Sequence, residues 1–338
     1  MDNGNLAKLV LKGKRVLVTG GAGFIGSHLV DYLYKKGCRI KTVDINTRQE
    51  KTVSPNRVTE IIGDITRQEI IQNLLADIDI VFHLAGLVTQ KNAGPADYWK
   101  VNVDATRRLL EESKKQKVQR FIYCSSDSVS GKIKELPAKE SDVCLPDNIY
   151  GVTKYAAEKE VLKFKKLLEV VIVRPTRVYG PGDMRMLKIF KQIKKKRFYL
   201  VGKGEALIHP VFVTDVLNGL ELCVLKDNIS GQIFYLGGDK TLCLREFLNT
   251  IAAYFRINLP GFVIPSPIAM FGVLSYEVLC KLLRIKPLFS RRNLEFFTRN
   301  RAYDISKAKR VLGYSPQVDI VEGVRFSGDW YNAKGYLG

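Results

Sequence analysis

Tyr150 and Lys154 stand four residues apart in Tyr150-Gly-Val-Thr-Lys154, at the start of a stretch with helical patterning. That spacing puts a phenol and an ammonium on one helix face. A positive neighbour favours phenolate and lowers a phenol's pKa. A phenol tuned in this way exchanges a proton with a secondary alcohol or carbonyl during hydride transfer. Ser125 and Ser126 follow the apolar run Phe121–Cys124. They fall at the carboxyl edge of an expected strand, where open α/β sheets bind ligands. A hydroxyl there holds a reacting oxygen or caps nearby backbone groups.

A second constellation suits phosphates. In Thr19-Gly20-Gly21-Ala22-Gly23-Phe24-Ile25-Gly26 the spaced glycines are Gly20, Gly23 and Gly26. Gly20 permits a tight turn, Gly23 lets backbone approach a pyrophosphate, and Gly26 lets helix and strand pack closely. The helix that follows offers free N–H groups and a positive dipole end. The apolar run Arg15–Thr19 precedes the glycines and the amphipathic stretch Phe24–Lys36 follows them, which is the context the motif requires. Asp44 ends the next apolar run, Ile40–Val43. A carboxylate there accepts from both ribose hydroxyls and repels a 2′-phosphate, favouring NAD over NADP. Arg48 lies nearby and weighs the other way. Asp64 suits the adenine edge or caps the helix from Thr66 onward.

Positioning these groups requires alternating strands and helices. Strands are expected at Val58–Ile62, Ile80–Leu84, Phe121–Cys124 and Val170–Val173, and helices at Arg67–Leu75, Asp97–Lys117 and Tyr150–Leu168. The pattern implies an α/β fold, a doubly wound parallel sheet covered on both faces. After Arg174-Pro175, glycine and proline become frequent and the elements shorten. Residues 1–175 are expected to form the nucleotide-binding domain and 176–338 mainly a smaller substrate lobe. The helix Val216–Leu225 and the strand Gln232–Leu236 belong to either. Ile268–Ile285 is apolar almost all round, with Glu277, Lys281 and Arg284 on one narrow face. Pro265, Pro267 and these charges argue against a spanning helix. The segment is a buried helix of the small lobe or a helix lying in a membrane interface, a peripheral contact.

The composition permits a sizeable core, with 46% hydrophobic and 26% charged residues in 338. The six cysteines include no CxxC pair, which fits a reducing compartment. His28, His83 and His209 lack metal-ligand spacing, so no metal is expected. The net charge of +20 favours anionic partners or reflects solvated surface lysines. The runs Lys163–Lys166 and Lys191–Arg197 read as solvent faces of helices, not nucleic-acid arms. Met1–Ala7 is polar with no long apolar core behind it, so a cytoplasmic location is expected.

TGGAGFIGSHLV, VDI, GDIT, VFHLAG, VNVDATRRLL, YCSSDSV, YGVTKYAAE, VRPTRVYGPGD and DISKAKRVLGYSP occur in this order. Together they resemble the signatures of the extended short-chain dehydrogenase/reductases, which include NAD-dependent epimerases/dehydratases and 3-beta-hydroxysteroid dehydrogenase-like enzymes. The resemblance implies a Rossmann fold with a smaller C-terminal substrate lobe and a homodimer built on the helices 97–117 and 150–168. It makes Tyr150 the general acid/base, Lys154 the group that orients the ribose and tunes Tyr150, and Ser126 the holder of the substrate oxygen. Ser126 is preferred to Ser125 because it lies three residues before Val129. The resemblance also implies NAD contacts at Gly20, Gly23, Phe24, Ile25, Gly26, Asp44, Asp64, Ile65, Leu84, Ala85, Gly86, Ser125, Pro175 and Val178. Tyr150 and Lys154 join them, as does Asn102, which resembles the family's helix-kink asparagine. Substrate contacts are implied at Ser126, Asp127, Arg177, Tyr179 and His209.

Sugar-nucleotide members of that family carry an arginine after a G-x-G turn to clamp diphosphate. Here Gly202-Lys-Gly204 is followed by Ile208 in that place, then His209. The dehydratases carry Asp-Glu, where this chain has Asp127-Ser128. The region Leu282–Arg292 resembles instead the steroid-dehydrogenase and flavonoid-reductase-like branch. The expected activity is NAD-dependent oxidation or reduction at a secondary alcohol or ketone of a bulky, hydrophobic small molecule. The first alternative is a nucleotide-sugar or lipid-linked-sugar 4-epimerase that keeps its NAD. The second is a non-catalytic dinucleotide sensor, against which the intact Tyr150–Lys154 pair speaks.

Overall fold

The computed structural model describes residues 11–48, 56–88, 93–259, 261, 263–283, 285 and 291–338. The chain divides into two compact units. The first runs through Thr176 and regains 213–237 and 304–316. The second holds 177–212, 238–303 and 317–338.

The first unit begins with β1 (Arg15–Thr19), α1 (Phe24–Lys35), β2 (Arg39–Asp44), β3 (Val58–Ile62), α2 (Gln68–Leu74) and β4 (Ile80–His83). It continues with α3 (Pro95–Trp99), a π-helical turn (Lys100–Asp104), α4 (Ala105–Lys115), β5 (Arg120–Cys124), α5 (Ile149–Lys163) and β6 (Glu169–Pro175). α6 (Val213–Leu225), β7 (Gln232–Leu236) and α7 (Ser306–Leu312) complete it. The seven strands form one parallel sheet in the order β7-β6-β5-β4-β1-β2-β3. Helices cover both faces, so central strands read as unbroken apolar runs. All four residues of β4 are buried, as are Val170–Pro175 of β6. Leu17, Val81, Phe121 and Ile172 share one core cluster with Leu109 and Val161 from the helices. The strand order reverses between β1 and β4, and the crevice outside their carboxyl ends is where such sheets take ligands. Thr19, Asp44, His83 and Cys124 all end strands on that edge.

The expected helix 97–117 is not continuous. The π turn separates α3 from α4. The Thr106 hydroxyl donates to the Asn102 carbonyl oxygen at 2.7 Å, directly after the widened turn.

The second unit contains short paired strands. Arg177–Tyr179 runs parallel to Pro210–Phe212, and Leu207–Ile208 antiparallel to Leu242–Cys243. Its aromatic core includes Tyr179, edge-on to Phe212 at 5.5 Å and to Phe247 at 6.3 Å, and Phe190, edge-on to Tyr331 at 5.2 Å. The reading of 268–285 as a buried helix of the small lobe is corrected here. The helix Ser266–Leu282 buries only Val273 and Cys280. Its inner face packs beside Val201 and Leu294, and most of its large apolar residues stay exposed. No helix among the described residues is long and apolar enough to cross a membrane.

Candidate active site

The turn from β1 into α1 is built on close backbone approach. Gly20 has φ +75°, and a Cβ there would lie 2.7 Å from the Ala85 nitrogen. A Cβ on Gly26 would lie 2.0 Å from the Gly20 oxygen, so only hydrogen fits. Gly23 is the N-cap of α1, with no side-chain cap and no acid in the first turn. The first N–H groups of the helix therefore face the turn without a competing carboxylate. Phe24 and Ile25 are half-buried, and Phe24 meets His28 edge-on at 5.6 Å.

Asp44 accepts from the Ala22 and Asn46 amides at 3.1 and 3.0 Å, which fixes its carboxylate beside the glycine turn. Arg48 is nine-tenths buried or more and pairs with Asp31 at 2.5 Å and Glu60 at 3.3 Å. Its guanidinium is thus compensated by two acids of the protein. Asp64 accepts from the Thr66 amide at 2.8 Å, the turn-capping arrangement, and Ile65 is buried beside it.

A buried hydrogen-bond chain links this turn to α5. The Ala85 amide donates to the Thr19 hydroxyl at 3.1 Å, and Thr19 contacts His83 Nδ1 at 2.7 Å. His83 Nε2 meets the Thr106 hydroxyl at 2.8 Å, and that hydroxyl donates to the Asn102 carbonyl. Thr106 must therefore accept from Nε2–H, and Nδ1 accepts from Thr19. Burial, then the charge of Lys154, pushes the His83 pKa down to about 3, so the ring is neutral. The Asn102 side chain donates to Thr153 Oγ1 at 2.9 Å and to the Leu87 carbonyl at 3.2 Å, and accepts the Leu87 amide at 2.7 Å. Leu84, Ala85 and Gly86, half-buried, lead into this grip.

α5 is capped by Asn148, whose side chain accepts the Gly151 amide at 3.0 Å. Tyr150 lies in its first turn, half-buried. Lys154, one turn on, is 2% exposed and donates to the Cys124 carbonyl at the end of β5 at 2.7 Å. Its Nζ also sits 4.2 Å over the Tyr123 ring. Burial pushes its pKa down to about 8, although Cys124 and Glu158 pull it up. A Cβ on Gly86 would lie 3.2 Å from Asn102 Oδ1 and 3.7 Å from Lys154 Nζ, so these three residues converge.

The two serines divide. Ser125 donates to Glu158 at 2.5 Å, inside the protein. Ser126 is half-buried, accepts the Ser128 amide at 3.1 Å and donates to Asp127 at 3.2 Å. Glu158 forms a bidentate pair with Arg174, at 2.9 and 2.7 Å. Pro175 is buried next to it.

Val178, Arg177, Tyr179 and His209 belong to the second unit. Val178 and Tyr179 are buried, and Arg177 lies 4.6 Å over the Phe296 ring. His209 Nε2 donates to the Gly238 carbonyl at 2.8 Å, and Nδ1 accepts the Tyr303 amide at 3.3 Å. Ile208 is buried in its short strand pair.

The sequence reading missed Thr19, His83, Thr106, Thr153, Glu158 and Arg174. A histidine inside an apolar strand run was the signal for the chain at His83. The acid one turn beyond Lys154 was the signal for Glu158.

The sequence model of the NAD dependent epimerase/dehydratase family matches residues 16–237. The chain is 28% identical to sterol-4-alpha-carboxylate 3-dehydrogenase ERG26, decarboxylating, of Candida albicans, over 94% of this chain and 97% of that protein. It is 28% identical to the 3-beta-hydroxysteroid dehydrogenase of Mycolicibacterium neoaurum, over 89% and 87% of the two chains. Among solved structures, MoeE5 in complex with UDP-glucuronic acid and NAD aligns with a TM-score of 0.75 and 27% identity, covering 95% of this chain and 99% of that one.

Proposed function

Since the chain belongs to the NAD dependent epimerase/dehydratase family, we propose that it is an NAD-dependent oxidoreductase acting on a secondary alcohol or ketone of a bulky, apolar, sterol-like small molecule. One observation carries the chemistry. Tyr150 opens α5, and Lys154, on the same face, is anchored to the end of β5 beside Gly86 and Asn102.

The residues present fit NAD. Backbone crowds out a Cβ at Gly20 and Gly26, the N-terminus of α1 has no side-chain cap, and the Asp44 carboxylate is fixed beside the turn. The compensated Arg48 offers little to a 2′-phosphate, which supports NAD over NADP. Asp64, Ile65, Leu84, Ala85, Ser125, Pro175 and Val178 complete the proposed cofactor contacts. NAD, when bound, supplies the hydride acceptor. Tyr150 takes the proton of the substrate hydroxyl, or returns one to the carbonyl oxygen. Lys154, charged below about pH 8, favours the phenolate form of Tyr150 and reaches toward a ribose. The Ser126 hydroxyl holds the substrate oxygen, with Asp127 orienting it. Arg177 is kept as a proposed substrate contact, whereas Tyr179 is set aside because its ring is buried between Phe212 and Phe247 in an aromatic core. His209 is set aside because backbone groups engage both its nitrogens.

Ile208, buried where a diphosphate-clamping arginine would stand, and the full-length sterol and steroid dehydrogenase relatives support an apolar substrate. A second reading, nucleotide-sugar 4-epimerase, is favoured by the +20 charge and by the likeness to MoeE5. The test combines mass spectrometry of molecules carried by the purified protein with a panel of sterol-like alcohols and nucleotide sugars. The oxidoreductase reading expects reduced nicotinamide to accumulate with added NAD and a sterol-like alcohol. Retained NAD with sugar interconversion and no net reduction overturns it in favour of the epimerase.

A further inference from the structure

The helix Ser266–Leu282 and the residues just after it carry an exposed apolar surface. Ile268, Met270, Phe271, Leu274, Val278, Leu279, Leu282, Leu283 and Ile285 are all among the exposed large hydrophobic residues. At 100° per residue, these positions sweep more than half of a helix circumference. The buried positions, Val273 and Cys280, fall together in the remaining arc, where Ala269 also packs inward. Val201, Leu294, Ile264 and Phe297 cover that inner arc. The outer arc, on which Ser275 and Lys281 are also exposed, is a largely apolar face of a kind that marks a protein or membrane contact.

Charge indicates the occupant. From Val278 to Leu294 the sequence holds Lys281, Arg284, Lys286, Arg291 and Arg292 and no acid. Lys281 is exposed on the helix itself. Glu277 is half-buried, toward the inner arc. An apolar helix face with an exposed lysine, followed in sequence by a basic stretch without acids, matches the acyl boundary and headgroups of an anionic bilayer. The helix has 17 residues and no helix among those described crosses a bilayer, so it would lie in the interface plane.

We infer that the exposed face of the helix Ser266–Leu282 docks the protein on anionic lipid membranes. The inference stands apart from the reaction assigned above and survives if the substrate proves to be a sugar nucleotide. It predicts binding that needs both the apolar face and the charge of Lys281.

The test is flotation of the full chain with vesicles of phosphatidylglycerol in phosphatidylcholine and with vesicles of phosphatidylcholine alone. The protein should float with the anionic vesicles and less with the neutral ones, and added salt should weaken the binding. Exchanging Phe271→Ser together with Leu282→Ser should lower the partition coefficient at least about tenfold, because both side chains would leave the acyl boundary. Lys281→Glu changes charge and leaves the apolar side chains intact, and should lower it about fivefold or more. Circular dichroism checks that each variant keeps its fold. Failure to float with either vesicle, or equal flotation of the wild type and the folded variants, overturns the inference. So does self-association without lipid that the Phe271/Leu282 exchange abolishes, because the face would then belong to a second copy of this chain.

Discussion

Glu158 and Arg174 meet in a bidentate ion pair with both side chains almost fully buried, 1% and 2% exposed. The pair joins α5, one turn beyond Lys154, to the end of β6. Ser125 donates to the same carboxylate, and Arg174 donates to the Tyr235 hydroxyl at 3.2 Å. Removing one partner leaves a buried charge without compensation, which costs about 3–5 kcal/mol. Glu158→Ala should therefore lower unfolding stability by that amount in urea titration. Replacing both residues with apolar ones of similar size should recover most of the loss. A single variant as stable as the wild type would remove this pair from the account of how α5 is held.

Tyr150→Phe keeps the ring and deletes the hydroxyl. With the phenol as the proton-exchanging group, turnover should fall about 10²–10⁴-fold. NAD affinity, measured by fluorescence titration, should be nearly unchanged. Undiminished turnover would refute the role given to Tyr150.

The Lys154 ammonium, held down to about 8 by burial, gives a prediction with two opposite signs. Charged Lys154 supports the phenolate, so kcat/KM should fall as pH rises through 8. Stability moves the other way. Between 8 and the ordinary lysine value of 10.5, the unfolded chain holds the proton that the folded one has released. The contribution of this group to stability therefore rises with pH across that window. Lys154→Met should abolish both the alkaline loss of activity and this stability gain, read from paired pH–rate and pH–urea profiles.

Gly26→Ala puts a methyl group 2.0 Å from the Gly20 oxygen unless backbone moves. Overpacking of this kind costs about 1–3 kcal/mol. It also displaces the turn proposed to cradle the pyrophosphate. NAD affinity should drop more than stability alone explains, by about tenfold or more if one close phosphate contact is lost. Calorimetric titration beside a melting curve separates the two effects.

The glycine turn and the alternation from β1 to β6 are readable in the sequence because close backbone approach permits only glycine, and because buried parallel strands leave unbroken apolar runs. The spacing of Tyr150 and Lys154 is equally plain. Their support is not. The chain from Thr19 through His83 and Thr106 to Asn102 joins residues far apart in sequence, and hydroxyls and an imidazole leave no periodic trace. The π turn is a matter of one backbone choice, the Ala105 amide bonding to the Lys100 carbonyl five residues back, inside a pattern that otherwise reads as a single helix. For Ser266–Leu282 the apolar pattern says which side chains avoid water. It does not say whether the rest of the chain supplies a surface to cover them.

The order in which the chain visits its two units has a consequence for biosynthesis. It crosses between them five times, at 176/177, 212/213, 237/238, 303/304 and 316/317. During translation, six strands of the sheet emerge before a long excursion, and β6 waits with its outer edge unpaired until β7 arrives at Gln232–Leu236. A nascent chain halted before that point exposes a hydrophobic strand edge to its neighbours on the same message.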